Sequence, residues 1–188
     1  MPDLRLCVFC GSAPGAHPAF AEASREVGRE IGRRGWTLVY GGGRVGLMGT
    51  LADAVLQSGG RALGVIPRFL YEREVGHEGL TSLEIVDNFA VRKERMGQLA
   101  DAFLSLPGGV GTLDELFEAW SWSMAGLQNK PNGLLNVEGY YDELLRFLDR
   151  SVTDGLLKPA ARRLLHVDTQ AVRLLDALCA ASPAAPSG

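Results

Sequence analysis

The chain has no surplus of positive charge: 19 Lys and Arg stand against 22 Asp and Glu, a formal net charge of −3. No broad basic field is available to draw in a nucleic-acid backbone or an anionic membrane, so any anion bound must be held by local geometry. Cysteine is scarce, with Cys7, Cys10 and Cys179 making an odd count of three. That count and the apolar run around the first two speak against a disulfide framework and favour a reducing, cytoplasmic compartment. Cys7-Val8-Phe9-Cys10 has the spacing of a redox motif. A strand would send its two ends to opposite faces, however, and no helix follows directly to lower a thiol pKa. The histidines, His17, His77 and His166, are scattered and adjoin no ligand cluster, so no metal is expected. No apolar run approaches the roughly 18 to 20 residues that span a bilayer. The N-terminus also lacks the charged, apolar and small-residue sections of a signal peptide. A soluble, unprocessed protein without nucleic-acid or membrane partners is expected.

What is present points to one domain. A chain of 188 residues, 46% hydrophobic, is long enough for one well-buried core and short for two, since domains commonly run about 100 to 200 residues. The expectation is a single domain over 1–180 and a flexible tail over 181–188, "ASPAAPSG", which is small, Pro-rich and has nothing to bury. Short runs rich in Val, Leu, Ile and Phe read as buried strands at Leu4–Cys10, Thr37–Tyr40, Ala62–Ile66, Leu83–Val86, Ala102–Leu106 and Gly133–Val137. Helical spacing fills the intervals at Pro18–Arg34, Leu47–Ser58, Phe89–Ala100, Thr112–Met124 and Tyr140–Ser151. Two further helices, Lys158–Leu165 and Thr169–Ala180, are expected around a short apolar segment. Alternating strands and helices predict an α/β fold, a Rossmann-like doubly wound parallel sheet with helices on both faces.

In such a sheet ligands bind beyond the carboxyl ends of the strands, and three of the turns there are unusual. "CGSAPG" follows the first strand, "YGGGRVGLMG" the second and "LPGGVGT" the fifth. Glycine lets another group approach the backbone closely, and each turn aims free N–H groups and the positive end of a helix outward, which suits a phosphate. Ser12, Gly42, Gly43, Gly108, Gly109, Gly111 and Thr112 are the candidate contacts. Gly41, Gly43 and Gly46 have dinucleotide-fingerprint spacing, but Pro67 and Arg68 stand where the following strand should supply an acidic residue for a ribose. No Walker-type Gly-Lys-Ser/Thr is present either. A mononucleotide or sugar phosphate fits better than NAD or a triphosphate.

Glu115 has two readings at this level. Thr112-Leu113-Asp114-Glu115 matches a capping box, a purely local role. A carboxylate beside a phosphate-binding turn would also face whatever is esterified to that phosphate, at about the reach of a ribose. Arg92, Lys93 and Arg95 begin the predicted helix of "NFAVRKERMGQLADAF", where cations oppose the macrodipole, so stability gives no reason for them. They are either a solvated cluster or, for Arg92 and Lys93, a group facing the ligand. The helix "LFEAWSWSMAGL" carries Phe117, Trp120, Trp122 and Met124 around more than one face. It is either buried within its domain or part of an interface between copies.

Taken together, "CVFCGS", "LVYGGGRVGLMG", "GVIPRFL", "RKERM", "DAFLSLPGGVGTLDEL" and "KPNGLLNVEGYYDELLRFLD" resemble the Lonely Guy (LOG) family over almost the whole chain. Arg92-Lys93 and Pro107-Gly-Gly-x-Gly-Thr-x-x-Glu115 are the specific signatures. The resemblance implies a homodimeric hydrolase of the N-glycosidic bond of nucleoside 5′-monophosphates, with N6-isoprenoid adenosine monophosphates (cytokinin nucleotides) as preferred substrates. It implies no cofactor. It puts the catalytic pair on Arg92 and Glu115, with Lys93 beside the arginine, the phosphate turn on Gly108, Gly109, Gly111 and Thr112, and substrate contacts on Glu74 and Ser121. Asp114 replaces a second glutamate common in the family, and "FAVRKERM" replaces a Met-His-x-Arg-Lys run that borders the base. The family's older label, lysine decarboxylase, finds no recognisable pyridoxal-phosphate lysine in this chain. An AMP nucleosidase of purine salvage and a non-catalytic nucleotide or molybdenum-cofactor carrier are the alternatives.

Overall fold

The computed structural model describes residues 3–73 and 75–183. Among them seven strands, β1 (Arg5–Phe9), β2 (Thr37–Tyr40), β3 (Arg61–Pro67), β4 (Ser82–Val86), β5 (Ala102–Ser105), β6 (Asn132–Leu135) and β7 (Leu165–Asp168), form one sheet in the order β4-β3-β2-β1-β5-β6-β7. Every pairing is parallel. The helices are α1 (Pro18–Arg33), α2 (Gly46–Gln57), α3 (Arg68–Tyr71), α4 (Phe89–Leu99), α5 (Val110–Met124), α6 (Asp142–Thr153), α7 (Pro159–Arg162) and α8 (Ala171–Ala181). None is long and apolar enough to cross a membrane.

The continuous apolar runs form strands because both of their faces are covered. On β1, Leu6 and Val8 join Leu38 and Leu104 under α1, α2 and α8, while Cys7 and Phe9 join Val39 and Phe103 under α4 and α5. Each fully buried Leu, Val or Phe of this kind contributes about 2 kcal/mol. A third cluster, with Leu116 and Trp120 of α5, Leu134, Leu148 and Leu165, closes the β6–β7 end. The expected doubly wound architecture is the one found.

The elements depart from the sequence reading where apolar patterning is thin. β7 is an edge strand of four residues, of which only Leu165 is buried, so its side chains carry little strand signal. The helix expected over Lys158–Leu165 is a single turn, α7, because its chain must then extend into β7. The strand expected to reach Val137 stops at Leu135. Asn136 keeps one backbone bond to β7, its N–H donating to the Asp168 carbonyl at 2.9 Å, while its side-chain amide accepts from Tyr141 N–H at 2.8 Å and donates to Asp142 at 2.7 Å, which turns the chain and delays α6 to Asp142. Ala181, placed in the expected tail, is the last residue of α8, and 184–188 lie outside the described residues.

From β1 the chain moves outward to β4, then crosses back to β5 on the other side of β1. The crevice between the carboxyl ends of β1 and β5 is therefore the switch point at which an open α/β sheet receives its ligand.

Candidate active site

Three glycine-rich turns meet at that switch point. Gly11 N–H donates to the Pro107 carbonyl at 3.0 Å, and Leu47 N–H donates to the Gly11 carbonyl at 3.1 Å, so the turns after β1, β2 and β5 are locked together. Gly46 has φ +60°, and a Cβ there would lie 2.3 Å from the Ser12 carbonyl oxygen. Only glycine lets the second turn pass the first.

A cavity of about 530 Å³ opens above them, with Ser12, Gly41, Gly43, Gly109, Gly111, Thr112, Arg92 and Glu115 on its polar side. Ile66, Leu70, Val75 and Phe89 form much of its apolar wall. That wall is held by a strap after β3: Arg44 N–H donates to Val75 O at 2.8 Å and His77 N–H to Gly42 O at 2.9 Å. Gly42, at φ +74°, lies behind the wall and serves this strap.

The capping-box reading of Glu115 does not hold, because α5 begins two residues earlier than expected. Its N-cap is Gly109, with no side-chain cap, so Thr112 is already in the first turn and Glu115 lies beyond it. Gly109, Val110, Gly111 and Thr112 thus carry the first-turn N–H groups, which have no intrahelical acceptor and sit at the positive end of the helix. A Cβ on Gly109 or Gly111 would meet no atom within 4 Å. These two glycines leave room that the protein's own packing does not use.

Arg92 and Glu115 face each other across the cavity floor. Their side chains are 11% and 12% exposed, and Arg92 Nη2 stands 3.6 Å from Glu115 Oε1, an ion pair too long to be a hydrogen bond. Asn88 caps α4 through its side chain, accepting from Val91 N–H at 3.0 Å, and so fixes the turn that carries Arg92. The guanidinium lies 5.8 Å from the Phe89 ring centroid and packs against Gly41, where a Cβ would fall 1.7 Å from Nη2. Arg92 Nε is buried and has no partner among the described residues. Burial lifts the Glu115 carboxyl to about 7, a rise that Arg92 partly offsets and Asp114 reinforces. A half-titrated carboxyl and a fixed cation with donors to spare are the parts of an acid–base or charge-stabilising site.

Other candidates lie elsewhere. Lys93, expected to face the ligand, turns away from the cavity and bridges Asp114 (2.9 Å) and Glu118 (2.8 Å) on α5. Consecutive helical residues point about 100° apart, and here that offset carries Lys93 to the α5 carboxylates while Arg92 faces the cavity. Ser121 donates to the Glu118 carbonyl at 2.8 Å and borders a separate groove between α5 and α6. Gly108 lies on a smaller adjoining cavity of about 250 Å³, and Glu74 lies outside the described residues. Sequence reasoning missed Gly41 and the apolar wall. Gly41 was visible only as fingerprint spacing, and Ile66, Leu70 and Val75 look like ordinary core until the strap brings them together.

A family model described as "Possible lysine decarboxylase" matches residues 48–178. The cytokinin riboside 5′-monophosphate phosphoribohydrolase LOG7 of Arabidopsis thaliana is 48% identical over 161 residues, covering 86% of this chain and 74% of that protein. The chain belongs to the Lonely Guy family. LOG1 of the same plant, also named a cytokinin riboside 5′-monophosphate phosphoribohydrolase, is 44% identical to this Lonely Guy chain over 174 residues, 93% of this chain and 82% of its own. The decarboxylase label of the family model implies pyridoxal phosphate, and the residues present do not fit it. Lys93 is ion-paired outside the cavity, Lys130 donates to the Gly97 carbonyl at 2.7 Å, and Lys158 is exposed before α7. No lysine of this Lonely Guy protein lines the cavity to form the Schiff base.

The fold alone is shared with the molybdenum cofactor carrier protein of Chlamydomonas reinhardtii, at TM-score 0.71 and 18% identity over 95% of this chain and 98% of that one. A molybdenum cofactor binding protein from Rippkaea orientalis superposes at TM-score 0.72, also at 18% identity, over 96% and 98% of the two chains.

Proposed function

We propose that this protein hydrolyses the N-glycosidic bond of N6-modified adenosine 5′-monophosphates, releasing the free base and ribose 5-phosphate, and accepts AMP as well. One observation carries the reading: a buried carboxyl and a buried guanidinium flank the uncapped first turn of α5 at the sheet's switch point. The N–H groups of Gly109, Gly111 and Thr112 take the 5′-phosphate, which supplies remote binding energy to position the sugar. Ser12 borders the same space. The ribose then lies against Glu115, and the base lies along Ile66, Leu70, Val75 and Phe89, whose apolar surface suits an isoprenoid group on N6.

As the C1′–N bond breaks, its electron pair leaves with the base and positive charge builds on the ribose, as in glycoside hydrolysis. A water oxygen bonds to C1′, and one water proton ends on the departing base. A fixed carboxylate beside C1′ stabilises that transition state more than the ground state. Arg92 supplies the fixed charge of a guanidinium and so anchors charge on substrate and on Glu115. Lys93 ties α4 to α5 and so holds Arg92 opposite Glu115.

The test is incubation with N6-isopentenyl-AMP and with AMP, followed by separation of the products. Free base is expected from both, faster from the prenylated nucleotide. Tight binding with no base released would establish the carrier reading instead, and a clear preference for AMP would make the protein an AMP nucleosidase. A carrier has no chemical use for the Arg92–Glu115 pair, which favours the hydrolase.

The working form is proposed to be a homodimer. Phe117, Met124, Phe147 and Leu156 line an open groove between α5 and α6 while 37%, 44%, 63% and 86% exposed. A monomer rarely leaves so much contiguous apolar surface in water. Trp120 lies in the floor of the groove but is itself buried, its indole N–H donating to the Ala161 carbonyl at 3.1 Å. Sedimentation is expected to give twice the chain mass of 20.2 kDa, and Phe147→Glu to give single chains. A wild-type monomer would overturn the dimer.

A further inference from the structure

Tyr140 lies outside the cavity, yet it touches the turn that closes it. Its hydroxyl donates to the Gly108 carbonyl at 2.8 Å, the one partner the described structure gives that oxygen. Its ring packs edge-on against Phe20 at 5.3 Å and Tyr141 at 4.8 Å, which fixes the direction of the hydroxyl. The smaller cavity, bordered by Tyr140 and Gly108, shares Gly11, Ser12 and Gly109 with the larger one. The Gly108–Gly109 peptide is therefore the partition between the two spaces.

In a trans peptide the carbonyl and the following N–H point in opposite directions. With the Gly108 carbonyl held on the Tyr140 side, the Gly109 N–H is aimed at the main cavity, and it has no acceptor among the described residues. A peptide between two glycines turns over at little steric cost, so such a plane does not hold itself. The neighbouring Tyr141 holds a different peptide. Its hydroxyl donates to the Leu106 carbonyl at 2.7 Å and accepts from the Gly108 N–H, so it fixes the Pro107 segment and does not touch the Gly108–Gly109 plane.

We propose that Tyr140 is a positioning residue that acts through the Gly108–Gly109 peptide, holding the Gly109 N–H toward the 5′-phosphate of the substrate. This rests on the hydrolase reading above. Without the hydroxyl the peptide samples both orientations, and the phosphate loses one charge-assisted hydrogen bond for part of the time.

The experiment compares wild type, Tyr140→Phe and Tyr141→Phe in cleavage of N6-isopentenyl-AMP, with inorganic phosphate and adenosine as competing inhibitors. Tyr140→Phe keeps the ring packing and is expected to raise the inhibition constant of phosphate about tenfold, the scale of a hydrogen bond to a charged group. Adenosine inhibition should stay within about twofold, and the substrate KM should rise by more than kcat falls. Tyr141→Phe is expected to lower the melting temperature by about 4 °C while leaving the phosphate-to-adenosine ratio unchanged. If Tyr140→Phe weakens both inhibitors alike, or neither, the positioning role is wrong although the hydrolase stands. If wild type releases no base, both readings fall.

Discussion

Glu115→Gln is expected to lower kcat on N6-isopentenyl-AMP at least about a hundredfold, the scale of a positioned acid–base group, with substrate affinity nearly retained. The same substitution should make the protein more stable at pH 8. Burial raises this carboxyl from 4.5 to about 7, so the folded chain holds the proton more tightly than the unfolded chain does. Stability is then lost as pH climbs from 4.5 to 7. Above 7 the buried anion costs about 3 kcal/mol, at 1.36 kcal/mol per pKa unit. The neutral amide escapes that cost, so its gain in melting temperature over wild type should appear above pH 4.5 and be complete near 7. Wild-type kcat/KM should rise with pH through about 7 as the carboxylate forms, and the amide variant should lack that limb. Near-native turnover in Glu115→Gln would reduce the residue to a buried structural acid.

Gly41→Ala is expected to lower kcat/KM about a hundredfold while shifting the melting temperature by less than about 3 °C. The added methyl would sit 1.7 Å from Arg92 Nη2, and the group that yields is the tip of a flexible side chain rather than backbone. The fold accommodates it, but the guanidinium is pushed from its seat between Gly41, Phe89 and Glu115. Arg92→Ala should match this loss within about tenfold, since both remove the cation from the same place. Steady-state kinetics beside thermal melts decide the matter. Full activity in Gly41→Ala would mean that the exact seat of Arg92 is unimportant.

How much of this could be read from sequence followed burial. β1, β2 and β5 are covered on both faces, so each announced itself as an unbroken apolar run, and the reading of β2 matched to the residue. β7, buried at one residue in four, showed only as a short apolar segment between two expected helices. In the candidate site, the glycine turn and Arg92 stood out because they break local rules: glycines where a helix starts, and a cation at a helix N-terminus. Glu115 fitted a local rule, the capping box, and only the family resemblance paired it with Arg92. Lys93 breaks the same rule as Arg92 for another reason, its ion pairs to Asp114 and Glu118. Adjacency in sequence could not separate it from Arg92, whereas helical rotation does. The wall of Ile66, Leu70 and Val75 depends on two backbone hydrogen bonds from a strap to the β2 turn, and backbone pairing of that kind leaves no trace in side-chain composition.

The central strand of the sheet has a consequence for how the molecule comes into being. β1 pairs with β2 early in the chain, but its other edge waits for β5, with Leu6 opposite Ala102. Closing so long a loop is entropically costly and slow. Until that seam zips, the emerging polypeptide owns one half of the proposed phosphate cradle and no opposing guanidinium–carboxyl pair. On the proposed function, nucleotide capture is thus withheld from partial chains, and its onset during synthesis reports that the seam between β1 and β5 has been sealed.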